Sequence, residues 1–175
     1  MRVAISGKSG CGNTTVSTIV AKTMNYQLIN YTFRMMADER NIDFWTFCAM
    51  AEQDDSIDLE LDKKQVEMAM ATKDCVLGSR LAIWMLKEAD LKVYLTATDT
   101  VRAKRIQKRE GGTFQQRLEE TQIRDSNDTS RYKRLYNIDN NDTNVADLVI
   151  ETDNLKAEEV AKIIVDKIKQ QLTKD

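Results

Sequence analysis

Short apolar runs alternate along this chain with longer segments whose apolar positions recur at helical spacing. The runs at 2–6, 27–29, 75–77, 91–95 and 148–151 have the length and continuity of strands buried on both faces, the pattern of a parallel sheet. Helices are expected over 14–24, where Val16, Ile19, Val20 and Met24 share a face, and over 81–86. A Thr98-Asp99 cap opens another that runs to about 109 and is broken by Gly111-Gly112. Residues 113 to about 135 and 157–172 complete the set. The block 33–71 reads as helical throughout, in two or three pieces. Its polar breaks lie near Asn41 and Asp43 and across 53–56, where Asp and Ser can cap a new helix. Within it Phe44, Trp45, Phe47 and Met50 form an apolar packing face.

Strands alternating with helices predict an α/β fold with a parallel sheet, the all-helical block being an insertion between strands. The 175 residues fit one domain, and 42% hydrophobic residues suffice for a core. A net charge of -2 argues against a general nucleic-acid binder, so anions must be held by local clusters. The basic stretch 104–109 is too short, and too poor in aromatics, to be a nucleic-acid patch. No run approaches the length of a membrane span, so a cytoplasmic protein is expected. Cys11, Cys48 and Cys75 lack metal or disulfide spacing. The absence of histidine removes His-based triads, His metal sites and His acid–base catalysis together.

The sharpest chemical signal is the turn Gly7-Lys8-Ser9-Gly10-Cys11-Gly12-Asn13-Thr14-Thr15, placed after the first strand and opening a helix. Its glycines allow backbone N–H groups to surround a phosphate at a positive helix end. Thr14 stands where a Ser/Thr hydroxyl of such a loop reaches Mg²⁺. Asn13, however, occupies the position of the usual lysine and brings no charge. Three readings are open: a turn that only packs tightly, a loop that binds nucleotide without turnover, and an active loop whose missing charge comes from arginines. Phosphoryl transfer depends on charge clamps and positioning more than on a base, which makes the arginines informative. Arg34 begins the helical block, Arg80 follows the third strand, and Arg105 and Arg109 close the helix before Gly111. Arg124 and Arg131 share a helix face, with Asp128 placed to orient a guanidinium by pairing.

Several strings resemble the nucleoside-monophosphate kinases, and among them the compact archaeal-type cytidylate kinases. They are the loop 6–16, the stretches 61–67, 89–95 and 105–111, the string Arg80-Leu81-Ala82-Ile83-Trp84-Met85, and Arg131-Tyr132-Lys133-Arg134-Leu135-Tyr136-Asn137-Ile138-Asp139. The resemblance covers nearly the whole chain. It implies a three-layer αβα P-loop NTPase with a five-stranded parallel sheet, with core segments 1–29, 74–109 and 135–175. An acceptor-binding insertion would span about 30–73 and a short lid about 110–131. It further implies ATP and Mg²⁺ as cofactors, the nucleotide being held by residues 7–15 and Arg105. Arg34 and Arg80 would hold the monophosphate, and Arg109, Arg124 and Arg131, with Asp128, would act on the transferring phosphoryl. Asp62, Gln65 and Arg40 lie where the base would be read, CMP and dCMP being the expected acceptors of a monomeric enzyme. Departures from the family pattern are Asn13, a shorter acceptor loop at 30–34, and Gly78-Ser79 in place of an acidic residue and glycine. The same chemistry on AMP, UMP or an alcohol, and a non-catalytic regulatory module, stay open as alternatives.

Overall fold

A computed structural model describes residues 1–173, except for the side chains of Trp45, Cys48 and Glu52. The packing role expected of Trp45 lies outside the described residues.

The elements follow the hydrophobic pattern closely. They are β1 (Arg2–Gly7), α1 (Asn13–Met24), β2 (Gln27–Ile29), α2 (Phe33–Glu39), α3 (Phe44–Gln53), α4 (Asp55–Ala71) and β3 (Cys75–Gly78). Then come α5 (Ala82–Met85), β4 (Leu91–Thr96), α6 (Asp99–Glu110), α7 (Phe114–Tyr136), β5 (Leu148–Glu151) and α8 (Ala157–Leu172). The five strands are all parallel in the order β2-β3-β1-β4-β5. β1 is central because Val3, Ala4 and Ile5 are fully buried apolar residues, able to face helices on both sides of the sheet.

One face buries Val3 and Ile5 under Val16 and Val20 of α1 and Ile164 and Ile168 of α8. The other buries Ala4, Leu77 and Tyr94 under Ile83 and Leu86, with Ala69 of α4 joining them. The helical block carries a small core of its own, Tyr31, Met36, Ala37, Phe47 and Ile57. This is the expected three-layer αβα arrangement with a helical insertion between β2 and β3. Among the described residues no helix is long and apolar enough to cross a membrane.

Side-chain caps place the breaks. Thr32 accepts from the Met35 N–H, Asp43 from Thr46, Asp54 from Ser56, Thr98 from Val101 and Thr113 from Gln116. The break expected across 53–56 narrows to Asp54 alone, whose carboxylate satisfies the new helix at once. Helix α1 is different: it starts at Gly12 with φ 103° and no side-chain cap, so its first N–H groups are left for another acceptor. The end of β3 approaches α1 so closely that a Cβ on Gly78 would overlap Ser17, which explains a glycine ahead of Ser79 and Arg80.

Candidate active site

Parallel strands deliver their following loops to one edge of the sheet, so the segments after β1, β3, β4 and β5 converge there. The loop after β1 turns through Gly10 (φ 85°) and Gly12 (φ 103°), conformations that side chains with a Cβ rarely adopt. Gly7 is equally constrained, since a Cβ there would lie 2.6 Å from the Leu95 carbonyl oxygen. Around this loop lies a cavity of about 620 Å³ lined by residues 8–16, by Ser79, Arg80, Arg105 and Arg109, and by Thr152 and Leu155 from the segment after β5. Arg105 spans loop and sheet end: its guanidinium donates to the Gly10 carbonyl (3.3 Å) and to the Thr152 hydroxyl and carbonyl (2.9 and 2.6 Å).

A second cavity of about 240 Å³ lies under the insertion, lined by Tyr31, Asp58, Asp62, Gln65, Arg131 and Tyr132 among others. Ser79 and Arg80 line both cavities, so the two spaces meet at Arg80. Arg80 donates to Asp128 Oδ2 at 3.0 Å, and Arg131 reaches Asp128 Oδ1 and Asp58 Oδ2, both at 3.3 Å. Asp128 is buried to 9% exposure and orients both guanidinium groups. Burial and the neighbouring Arg80 charge hold the Arg124 guanidinium below its ordinary pKa, and among the described residues it has no ion-pair partner. Arg124 is thus crowded by Arg80 with no carboxylate paired to it among the described residues, and an incoming phosphoryl group would relieve it.

Asp62 and Gln65 line the smaller cavity together. Gln65 Nε2 donates to the Tyr31 carbonyl (2.8 Å), and the Tyr136 hydroxyl donates to Asp62 Oδ2 (2.5 Å). Burial pushes the Asp62 carboxyl up from its ordinary value, against the opposing effect of the Tyr136 hydrogen bond. Arg34 and Arg40 are not among these groups. The Arg34 guanidinium lies 4.0 Å from the Phe44 ring centroid, and Arg40 pairs with Glu60 at 2.5 Å beside the Phe47 ring. Arg109 lines the larger cavity while paired to Glu110. Lys8 lies 3.6 Å from Asp125 of α7. Asn13 is turned back into its own loop, with Nδ2 donating to the Gly7 carbonyl at 2.5 Å and Oδ1 buried without a partner. Cys11 is buried, which pushes its thiol up and leaves it a filler under the loop.

Several site residues escaped the sequence reading. Asp58 carries a signal, since 58, 62 and 65 share one face of a helix. Tyr31, Tyr132, Tyr136 and Thr152 carry none by spacing. Arg102 is the largest omission. It is 1% exposed, donates to the Ser9 carbonyl at 3.1 Å, and forks onto both oxygens of Asp125 (3.1 and 2.5 Å) and onto Asp99 (2.7 Å). No cluster of three or more acidic, His or Cys side chains able to hold a metal exists among the described residues.

The sequence model of the cytidylate kinase-like family matches residues 2–154. The chain is 47% identical over 172 residues to Cytidylate kinase 2 of Borrelia garinii subsp. bavariensis, with 96% of each chain covered. It is 39% identical over 166 residues to Cytidylate kinase of Methanocorpusculum labreanum, 94% of each being covered. In fold it resembles shikimate kinase from Acinetobacter baumannii (TM-score 0.64, 19% identity, covering 97% of this chain and 93% of that one). It also resembles deoxyadenosine kinase from M. mycoides (TM-score 0.56, 16% identity, 97% and 100% covered), and both likenesses bear on the fold alone.

Proposed function

The chain belongs to the cytidylate kinase-like family, and from that premise we propose that it transfers the γ-phosphoryl of Mg-ATP to the α-phosphate of CMP or dCMP. The observation that carries the reading is the meeting of two cavities at Arg80, one lined by the glycine loop and the other by Asp62, Gln65 and Arg131. A donor in the first and an acceptor in the second would bring phosphates together where Arg80, Arg124 and Arg131 gather.

The loop amides and the uncapped start of α1 would hold the β-phosphate. ATP supplies the transferable group. Thr14 is the residue that would join phosphate oxygens and water around Mg²⁺, an ion that would arrive with the nucleotide. Asp128 keeps Arg80 and Arg131 aimed, and the arginines neutralise charge spread over the equatorial oxygens. Residues 30–73 would form the acceptor-binding part and 110–131 the lid. Their closure would exclude water and suppress hydrolysis of ATP. Both cavities are lined from one chain, and the proposed working unit is a monomer.

Release of ADP from Mg-ATP, followed with CMP, dCMP, UMP, dTMP, AMP and GMP one at a time, tests this. Strong turnover with CMP or dCMP is expected. Turnover with another acceptor alone would refute the substrate, and silence with ATP still bound would favour a regulatory nucleotide-binding protein.

Base selection is assigned to Asp62. Its carboxylate, with one oxygen held by Tyr136, would accept from the cytosine amino group and repel the O4 of uracil. Asp62→Asn is expected to lower kcat/KM for CMP by about tenfold to a hundredfold, the cost of one mispaired buried group, and to raise UMP turnover. Because burial raises the Asp62 pKa, protonation sets in above the usual carboxylate range and removes an acceptor. The KM for CMP should therefore rise as the pH falls through the raised pKa, and this rise should vanish in the variant. An unchanged CMP:UMP ratio in Asp62→Asn would exclude this role.

A further inference from the structure

We infer that Lys8 supplies the charge missing at Asn13: it leaves Asp125 to contact the β- and γ-phosphates of the bound nucleotide. The inference rests on the proposed kinase reading and adds to it a residue that the usual loop pattern does not provide.

The Asn13 amide is committed to the Gly7 carbonyl at 2.5 Å, and its Oδ1 is buried above Gly7, 2.7 Å from where a Cβ would stand. The side chain is thus packed into the loop and cannot bring a cation to the cavity. Lys8 is the one cation within the glycine loop 7–15. It lines the large cavity, its side chain is 30% exposed, and its ammonium sits on a flexible stem beside the loop.

What holds Lys8 is loose, and deliberately so in its consequences. Its ammonium is 3.6 Å from Asp125 Oδ2, an ion pair longer than a hydrogen bond. Asp125 does not depend on it, because Arg102 already donates to both carboxylate oxygens at 3.1 and 2.5 Å. Lys8 can therefore exchange Asp125 for phosphate without leaving a buried carboxylate unpaired, the step that usually makes breaking such a pair costly. The exchange removes one tie between the loop and α7, while Arg102 still links the Ser9 carbonyl to Asp125.

The test uses the full chain and compares Lys8→Gln, Asn13→Lys and the double variant. Lys8→Gln is expected to lower kcat/KM for ATP by about a hundredfold, the usual loss for one preorganised donor. Its affinity for AMP, which carries no β- or γ-phosphate, should be unchanged. Restoring a lysine at the ordinary position in Lys8→Gln/Asn13→Lys should recover at least about tenfold of that loss. Retention of full kcat/KM in Lys8→Gln overturns the inference, as does an equal loss of ATP and AMP affinity, which would signal a damaged loop. Failure of the wild-type protein on every acceptor would sink the kinase reading instead, so the two failures are distinguishable.

Discussion

Arg131→Ala should lower kcat with CMP and ATP at least about a hundredfold, equivalent to about 2.7 kcal/mol of transition-state stabilisation. Arg131 sits on α7 and bridges Asp58 of α4 to Asp128 one turn away, at the wall of the cavity proposed for the acceptor. A guanidinium there would meet charge that develops only as the phosphoryl group moves, so the loss should fall on kcat more than on KM. Burial raises the Asp58 pKa and Arg131 counteracts it. In the variant Asp58 loses that opposing charge, and its carboxyl pKa is expected to rise further. Arg131→Lys should recover little, because an ammonium cannot make the two-pronged contact between Asp58 and Asp128. Arg124→Ala should behave similarly, since Arg124 shares the crowded positive region with Arg80. Steady-state kinetics beside thermal unfolding separates the effects. Full activity in both alanine variants would sink the lid assignment.

Arg102→Ala is expected to cost about 3–5 kcal/mol of stability, the usual penalty for removing one member of a buried charge network. The guanidinium is 1% exposed and holds three elements at once: Ser9 of the loop, Asp99 at the start of α6 and Asp125 on α7. Removing it would leave Asp125, itself 16% exposed by side chain, with only the longer pair to Lys8 among the described residues, and free the loop carbonyl. Urea unfolding checks the prediction, with the midpoint as the readout. An unchanged midpoint would show that the network contributes nothing net.

A pH profile adds a second signature. The Arg102 hydrogen bond holds the Asp99 carboxyl below its ordinary value. Stability from that depressed pKa is present above the unfolded value and is lost as pH falls through the folded one. Without Arg102 this acid-side slope should flatten.

The secondary structure and sheet were legible because their causes are local. β2 and β5 lie where the apolar runs at 27–29 and 148–151 placed them, and Thr98 caps α6 as its side chain suggested. Gly10 and Gly12 take the positive φ that a phosphate-binding turn requires. The charged residues were less legible. Arg34 and Arg40 have the sequence position of acceptor-binding groups, yet in the fold they lie on Phe44 and Phe47. Arg102 and Asp125 lie 23 positions apart in the sequence, and they pair only because α6 and α7 pack together.

By itself the sequence determined the αβα class, the glycine loop, the inserted helices and a supply of arginines, because apolar periodicity and turn chemistry act over a few residues. Tertiary structure alone decided which charges face one another: Arg80 at the meeting of two cavities, Asp128 between two guanidinium groups, Lys8 beside Asp125. Electrostatic partnership depends on distance and burial in space, and neither is encoded by spacing along a chain that passes through β2, the inserted helices, β3 and β4 between Lys8 and Asp125.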